Sequence, residues 1–332
     1  MNRRTFLGAT GAAIGVAPAF VRAAVRAEVQ IAVAHDLPKD STIPSSLKAL
    51  SRRWQDVLGN VMELYFMPPI PGGESVLLRR LGIRQIQGAL LTGSGLGGID
   101  PAARCLEAMP MLASTWAEVD GLQKRVEGHL AKVLHEKGYQ VVLWGVGGWR
   151  RWFSNRPLTG PADLKGKRFA VEASIPGAAK ELEGLGTPIA IPADKIGPAL
   201  AAGEVEAALV PTARAAALGV PNAAKHLLDL KWAPMVHAFV VVRSTWERVP
   251  EDIRRRAENL RDNQEAEIRA NLRSEDAAAL IRLNDAFGVK VTPVSDAALG
   301  QWRTAAADVR SRQRGSTIPP EIFDALTGDA TR

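Results

Sequence analysis

The stretch Gly148-Trp-Arg-Arg-Trp-Phe-Ser-Asn-Arg-Pro-Leu-Thr-Gly-Pro-Ala-Asp-Leu-Lys-Gly-Lys-Arg-Phe-Ala-Val171 decides how the chain is organised. Its middle is turn-forming, because Pro157 and Pro161 fix φ and Gly160 relaxes the backbone. Residues 167–171 then place Phe169 and Val171 on one face and Arg168 and Ala170 on the other, which predicts a short half-buried strand. The stretch therefore predicts a chain that leaves one lobe, turns, and starts the first strand of a second lobe.

Upstream of this stretch, apolar periodicity predicts strands and helices in alternation. The predicted strands cover residues 28–35, 61–66 and 87–91, with helices over 45–58 and up to residue 81 between them. This β-α-β-α-β order is typical of a doubly wound α/β sheet. Another strand at 140–144 leads into the quoted stretch.

Downstream, the pattern predicts more short strands and one long helix. Strands are predicted at 187–191, 207–210, 237–242 and 289–291. Residues 251–287 contain neither glycine nor proline and carry apolar residues at helical spacing. A single helix over this run would be about 55 Å long. Two consecutive helices, broken near Asn263 or Ser274, are the alternative.

A glycine-rich segment, Gly93-Ser-Gly-Leu-Gly-Gly98, fits the pattern G-x-G-x-x-G of dinucleotide-binding proteins. It follows the third predicted strand and not the first, and Pro101 interrupts the helix that should follow. We therefore predict a loop at a ligand cleft, with backbone amides available to a ligand. Dinucleotide binding would instead make the protein a secreted cofactor-dependent oxidoreductase, which is an alternative function.

Composition excludes several classes of function. The chain has one cysteine, Cys105, so a disulfide framework or a cysteine-ligated metal cluster within one chain is excluded. The five histidines form no H-E-x-x-H pattern or facial triad. We expect no metal, no cofactor and no catalysis. The formal net charge of +7 is not concentrated in a basic helix with interleaved aromatics, so we expect no nucleic-acid partner.

The amino terminus has the features of an export signal. Arg3-Arg4 precedes an apolar run that is too short to span a bilayer. Small residues follow at positions typical of a cleavage site. We predict a twin-arginine signal peptide over residues 1–27, with cleavage after Ala23 or Ala27 and a periplasmic location.

The quoted stretch resembles the solute-binding proteins of tripartite ATP-independent periplasmic (TRAP) transporters. That family has a Gly-x-Arg, a Ser-Asn-Arg-like loop, Asp-Leu-Lys-Gly, and then a strand. The matching residues here are Gly148, Arg150, Ser154, Asn155, Arg156, Asp163, Leu164, Lys165, Gly166 and Val171. The resemblance continues through Leu200-Ala-Ala-Gly-Glu-Val-Glu206 and Trp246-Glu-Arg-Val-Pro-Glu-Asp-Ile253.

The resemblance implies an α/β fold of the two-lobed periplasmic binding protein type. Each lobe would be a mixed sheet flanked by helices, and a long helix would span both lobes. We expect lobe I to comprise residues 28–150 plus 238–285, and lobe II residues 151–237 plus 286–325. The implied function is a periplasmic receptor that captures a small solute and docks on a membrane permease. We expect the protein to be a monomer. A permease-independent binding or sensor protein is a further alternative.

Arg150 is the residue we expect to hold an organic-acid ligand. Arginine binds a carboxylate through two parallel charge-assisted hydrogen bonds, and the resemblance places a ligand-contacting arginine here. A surface arginine in a charged run is the alternative. The other candidate ligand-binding residues are Ser94, His35, Trp149, Glu172, Trp232 and His237.

Two positions depart from the family pattern. Ala170 stands where the family has its principal carboxylate-binding arginine, and Val210 stands where it has an asparagine. Neither side chain can donate a hydrogen bond. We expect both departures to widen the pocket for an apolar or aromatic ligand body, with Arg150 as the anchor.

Overall fold

The computed structural model describes residues 28–37 and 43–328, and the predicted signal peptide lies outside this part of the chain. The strands are β1 (Val29–Ala34), β2 (Met62–Phe66), β3 (Gly88–Thr92), β4 (Tyr139–Ser154), β5 (Arg168–Glu172), β6 (Thr187–Ile191), β7 (Ala207–Pro211), β8 (His226–Val242) and β9 (Lys290–Thr292).

The α-helices are α1 (Ile43–Leu58), α2 (Glu74–Gly82), α3 (Gly93–Ile99), α4 (Cys105–Ala108), α5 (Trp116–Glu136), α6 (Ala178–Glu181), α7 (Ile196–Ala201), α8 (Val220–Ala223), α9 (Arg243–Trp246), α10 (Glu251–Asn259), α11 (Arg261–Phe287), α12 (Asp296–Ser311) and α13 (Pro320–Thr327). Within the described ranges, no helix is both long and apolar enough to cross a membrane.

One mixed sheet joins the two lobes. Its strand order is β2-β1-β3-β8-β4-β7-β5-β6, with β9 added to β8. The long strands β4 and β8 pair antiparallel at the centre. The carboxyl-terminal part of β8 pairs with β3 in lobe I, whereas the carboxyl-terminal part of β4 pairs with β7 in lobe II. The chain therefore crosses between lobes inside two continuous strands.

Strands β4 and β8 are much longer than the predicted segments 140–144 and 237–242. Their pairing contains register shifts between Val141 and Leu143, between Val146 and Trp149, and beyond Arg150. Each irregularity interrupts the two-residue alternation by which a strand is read from sequence. In addition, most of β4 is buried, so its side chains do not alternate between apolar and polar.

Helix α11 packs against both lobes. Leu272 belongs to the apolar cluster of lobe I, and Leu283 belongs to an apolar cluster of lobe II. The helix lies so close to β4 that a Cβ on Gly147 would stand 2.4 Å from Cβ of Leu272. This glycine is therefore needed for the close approach. The helix that spans both lobes is confirmed.

The prediction of a single helix over 251–287 is wrong. The run divides into α10 and α11 at Leu260, close to the Asn263 break that was the alternative. With 27 residues, α11 is about 40 Å long. The apolar spacing does not reveal this break, because Leu260 itself continues to pack on the lobe I cluster.

The predicted glycine-rich loop is also wrong, because Gly93–Ile99 form helix α3. The side chain of Thr92 caps this helix by accepting a hydrogen bond from the Ser94 amide. A Cβ on Gly93 would stand 2.3 Å from the carboxyl of Glu107, and one on Gly95 would stand 2.9 Å from Glu74. The glycines thus make room for two buried carboxyl groups.

Candidate functional site

The largest cavity between the lobes has a volume of about 820 Å³. It lies beyond the carboxyl ends of strands β1, β5 and β7, where α/β proteins commonly bind ligands. Its lining comes from both lobes and includes Asp36, Pro69, Ile70, Gly73, Glu74, Glu172, Ser174, Asp194, Arg214 and Leu218. We call it the main cavity.

A smaller cavity of about 60 Å³ adjoins the main cavity. Thr92, Gly147 and His237 are among the residues that line it. Asp36 and Arg214 line both cavities. They form an ion pair, with Nη2 of Arg214 placed 3.4 Å from Oδ2 of Asp36. Because Asp36 follows β1 and Arg214 follows β7, this pair connects the lobes at the boundary of the two cavities.

Arg214 is held in an acidic environment. Burial alone would lower its pKa, but the carboxyl groups of Asp36, Glu172 and Glu74 raise the pKa above the ordinary value. The guanidinium is therefore positively charged at any physiological pH. An arginine that stays charged at a cavity wall can bind a carboxylate through charge-assisted hydrogen bonds.

Glu74, in the first turn of α2, is buried behind Arg214. Its carboxyl accepts hydrogen bonds from the Thr92 amide at 2.5 Å and the Gly95 amide at 2.7 Å, and it lies 2.7 Å from the Thr92 hydroxyl. Burial, reinforced by the charge of Asp36, raises the pKa of Glu74 to about 8. Its carboxyl is therefore largely protonated at pH 7, and it adds little negative charge to the cleft.

Glu172 and Ser174 form a second contact between the lobes. The Ser174 hydroxyl donates to Oε1 of Glu172 at 3.1 Å. It also lies 3.3 Å from the hydroxyl of Ser94 in α3. Glu172 thus lines the main cavity, and Ser94 reaches the same edge through Ser174.

Arg150 occupies a different place. Its Nη2 lies 3.7 Å from Oε2 of Glu107, and both side chains are buried. Among the described residues, neither Nε of Arg150 nor Oε2 of Glu107 has a hydrogen-bond partner. The adjoining cavity has a volume of about 20 Å³, which is room for a single water molecule. In this arrangement no solute can reach Arg150.

A second buried ion pair lines this 20 Å³ cavity. Arg104 in lobe I holds Glu181 in lobe II through two hydrogen bonds, one of them 2.8 Å between Nη2 and Oε2. The oxygen Oε1 of Glu107 accepts from the amide of Val236 at 3.0 Å. Burial raises the pKa of Glu107, although the charge of Arg150 opposes this effect. We call Arg104, Glu107, Arg150 and Glu181 the buried charge cluster.

The two candidate histidines lie in lobe I. His237 lines the 60 Å³ cavity, with its Nε2 placed 3.3 Å from the carbonyl oxygen of Gly147. Burial lowers its pKa to about 4, so the ring is neutral at pH 7 and can donate to Gly147. His35 is buried, and its Nδ1 accepts from the amide of Leu37 at 3.3 Å. Burial also lowers the pKa of His35.

The two candidate tryptophans serve packing. Trp149 stacks on Trp116 with ring centroids 4.6 Å apart, and its amide donates to Asp276 in α11. Trp232 packs edge-on against Trp152 and Trp302 in lobe II. Trp232 also lines the 20 Å³ cavity beside Arg150. Neither ring lines the main cavity.

Ala170 and Val210 are fully buried in an apolar cluster of lobe II, together with Phe153 and Leu283. They lie on the face of β5 and β7 that packs against helices. Neither residue lines the main cavity or the 60 Å³ cavity, so the expected widening of the pocket does not arise from them. A small residue at these positions instead fits the close packing of the helix layer.

The sequence reading missed Asp36, Glu74 and Arg214. Asp36 and Arg214 could have been found, because each comes within a few residues of the carboxyl end of a predicted strand, where ligands bind in open sheets. Glu74 gives no such signal, since its burial depends on the glycines of α3. Among residues 28–37 and 43–328, no group of three or more His, Cys, Asp or Glu side chains could hold a metal ion.

Two lobes joined by a continuous sheet, with a charged cavity between them, define a two-lobed extracytoplasmic solute-binding protein. The family model described as bacterial extracellular solute-binding protein, family 7, matches residues 33–314. The chain therefore belongs to this family, the periplasmic solute-binding proteins of TRAP transporters. It is a binding protein and not an enzyme, which sets aside the oxidoreductase alternative.

Solved structures share the fold at low sequence identity. A Bordetella pertussis extracytoplasmic solute receptor that binds pyroglutamic acid is 18% identical, with a TM-score of 0.77 over 90% of this chain and 98% of that one. A Chromohalobacter salexigens TRAP solute-binding protein with bound D-glucuronate is 17% identical, with a TM-score of 0.78 over 91% and 100%.

A third structure, from Shewanella oneidensis with bound succinate, is 16% identical, with a TM-score of 0.78 over 91% of this chain and 99% of that one. No curated protein matches the sequence.

Proposed function

We propose that the protein captures a small carboxylate-bearing solute in the main cavity and delivers it to the membrane subunits of a TRAP transporter. The observation that carries this proposal is Arg214, a charged arginine that lines both larger cavities. The similar proteins with bound succinate, D-glucuronate or pyroglutamic acid support a ligand of this class. A receptor that acts without a permease would use the same site.

Capture would close the lobes around the solute. At the main cavity the contacts between the lobes are polar and include Asp36 with Arg214 and Ser94 with Ser174. The Arg104–Glu181 pair also joins the lobes, in the buried charge cluster. The contacts at the main cavity can be exchanged for contacts with a ligand, and β4, β8 and α11 can carry a hinge motion. X-ray scattering with and without a solute that stabilises the protein in a thermal-shift screen should show a smaller radius of gyration when bound. An unchanged radius at saturation would contradict closure.

Arg150 remains a proposed anchor from the sequence, beside Arg214 from the structure. In an open arrangement of the lobes, a carboxylate could replace Glu107 at Arg150. In the described arrangement, Arg214 is the arginine with adjacent space. The solute affinities of the Arg214→Ala and Arg150→Ala variants distinguish the two.

We also propose export through the twin-arginine pathway. Arg3-Arg4 ahead of the apolar run motivates the proposal. Replacing both residues by lysine should leave precursor in the cytoplasm, as measured by immunoblots of cell fractions. Normal amounts of mature periplasmic protein from this variant would contradict the route. Permease dependence is tested separately, by solute uptake in cells with and without the membrane subunits.

A further inference from the structure

The main cavity has an excess of acidic side chains. Its described lining contains Asp36, Glu74, Glu172 and Asp194, but a single basic residue, Arg214. Asp194 is exposed and lies 3.7 Å from Lys195, so solvent and that lysine screen its charge. Glu74 is largely protonated at pH 7. Within the described lining of the main cavity, the charges that a buried ligand meets are therefore Asp36, Glu172 and Arg214. The adjoining 60 Å³ cavity adds two acidic residues, Glu275 and Asp276, and one basic residue, Arg282.

The charge of Arg214 is already balanced. Asp36 pairs with it at 3.4 Å, and Glu172 contributes a further negative charge nearby. A solute that carries only carboxylates would form an ion pair with Arg214, but Asp36 would lose its ion pair with that arginine. The solute would also bring its negative charge close to Asp36 and Glu172, and like charges repel.

We infer that the solute is zwitterionic, with a carboxylate for Arg214 and a cationic nitrogen for Asp36 and Glu172. This inference rests on the proposed function and narrows its ligand class. Such a solute would insert its two charges between Asp36 and Arg214. Asp36 would then pair with the cationic nitrogen of the solute, and Arg214 with its carboxylate. The position of this pair, at the boundary between the 60 Å³ and 820 Å³ cavities, leaves space for the ligand body on the larger side.

The test uses matched probes that differ only in an amine or a carboxylate. The pairs are L-glutamate with glutarate, L-pipecolate with cyclohexanecarboxylate, and L-phenylalanine with 3-phenylpropionate. Phenethylamine and piperidine are the corresponding amines without a carboxylate. Calorimetry on the mature protein should show that at least one zwitterion binds tenfold or more tightly than its amine-free and carboxylate-free counterparts.

Substitutions in the cleft then test whether Asp36 and Glu172 cause the preference for a zwitterion. Asp36→Asn should remove most of the discrimination between the zwitterion and its amine-free counterpart, and Glu172→Gln should reduce it. The exposed Glu258→Gln on α10 is the control and should leave the preference unchanged. Circular dichroism melting checks that each variant is folded. If Asp36→Asn does not fold, the loss of discrimination is tested with Glu172→Gln alone.

The outcomes separate the inference from the proposed function. Amine-free acids that bind as tightly as the zwitterions would overturn the inference and leave the carboxylate receptor standing. A preference that survives in both variants would also overturn it. Tight binding of the amines alone, or binding by no member of the panel, would count against both.

Discussion

Two arginines at the junction of the lobes have contrasting surroundings. Arg214 borders cavities of about 60 and 820 Å³. It lies in lobe II and is within hydrogen-bonding distance of Asp36 in lobe I. Arg150 lies in the buried charge cluster, beside a cavity of about 20 Å³. A buried arginine can contact a solute only where space adjoins it. Otherwise its charge is used to hold the protein together.

The largest effect should come from the buried charge cluster. Glu107→Leu would leave the guanidinium of Arg150 buried without its carboxylate partner and would deprive the Val236 amide of an acceptor. Breaking one half of a buried ion pair costs about 3–5 kcal/mol of unfolding free energy. Urea denaturation followed by tryptophan fluorescence measures this loss.

The control for that experiment is an exposed ion pair. Glu136 lies 4.0 Å from Lys132 on the solvent face of α5, and Glu136→Ala should leave the urea midpoint nearly unchanged. If Glu107→Leu is as stable as Glu136→Ala, the buried charge cluster does not stabilise the junction, and Arg150 becomes available for a ligand.

The next largest effect should be on solute affinity, to which we expect Arg214 to contribute more than Arg150. With a carboxylate solute found by screening, Arg214→Ala should weaken binding about tenfold to a hundredfold, because one charge-assisted contact contributes about 1.5–3 kcal/mol. Arg214→Lys should recover only part of the loss, since lysine lacks the planar fork. Calorimetric titration gives the affinities.

Arg150→Ala is the matched variant in that comparison. If Arg150 is structural in the bound state, its replacement should lower stability more than affinity. If instead Arg150→Ala abolishes binding while Arg214→Ala binds like the wild type, the sequence-based anchor is correct and the assignment of Arg214 is wrong.

A third comparison concerns the pH dependence of stability. The pKa of Glu74 is about 8 in the folded protein, against 4.5 as its ordinary value, so the folded state binds more protons between these values. Its contribution to stability is fully present below pH 4.5 and is lost as the pH rises through about 8. Glu74→Gln removes the titrating group and should flatten the fall in melting temperature between pH 5 and 8. It should also lower stability at every pH, because its amide nitrogen would face one of the two backbone amides that donate to Glu74.

The comparison variant for Glu74 is Glu118→Gln. Glu118 is exposed at the start of α5, where hydrogen bonds from Ser114 and Thr115 lower its pKa to about 2. Its contribution is present above the ordinary pKa of 4.5 and is lost as the pH falls toward 2. The variant Glu118→Gln should therefore leave the pH dependence of the melting temperature between pH 5 and 8 unaltered. An equally steep fall in Glu74→Gln would show that Glu74 is ionised in the folded protein.

Much of the fold could be predicted from sequence. Strands β1 to β3 and β5 to β7 lie within a few residues of their predicted bounds, because a half-buried strand bounded by turn residues leaves a local pattern. The two-lobed α/β class and the family are confirmed. The full length of β4 and β8 was missed, since their bulges interrupt that pattern.

The site was less predictable. Glu172, Ser94 and His237 lie at or beside the cavities between the lobes, whereas His35, Trp149 and Trp232 are packed away from the main cavity. Burial of a histidine or a tryptophan depends on residues far along the chain, such as Trp116 against Trp149. No local pattern carries that information.

By itself, the sequence determined most of the short strands, and its motifs indicated the two-lobed class and the family. These properties depend on periodicity and on contiguous motifs, which are local. Only the tertiary structure decided which arginine borders open space and which is enclosed. Arg214 and Arg150 have the same charge, but their partners Asp36 and Glu107 come from distant parts of the chain. A cavity is a property of the packing of all of them.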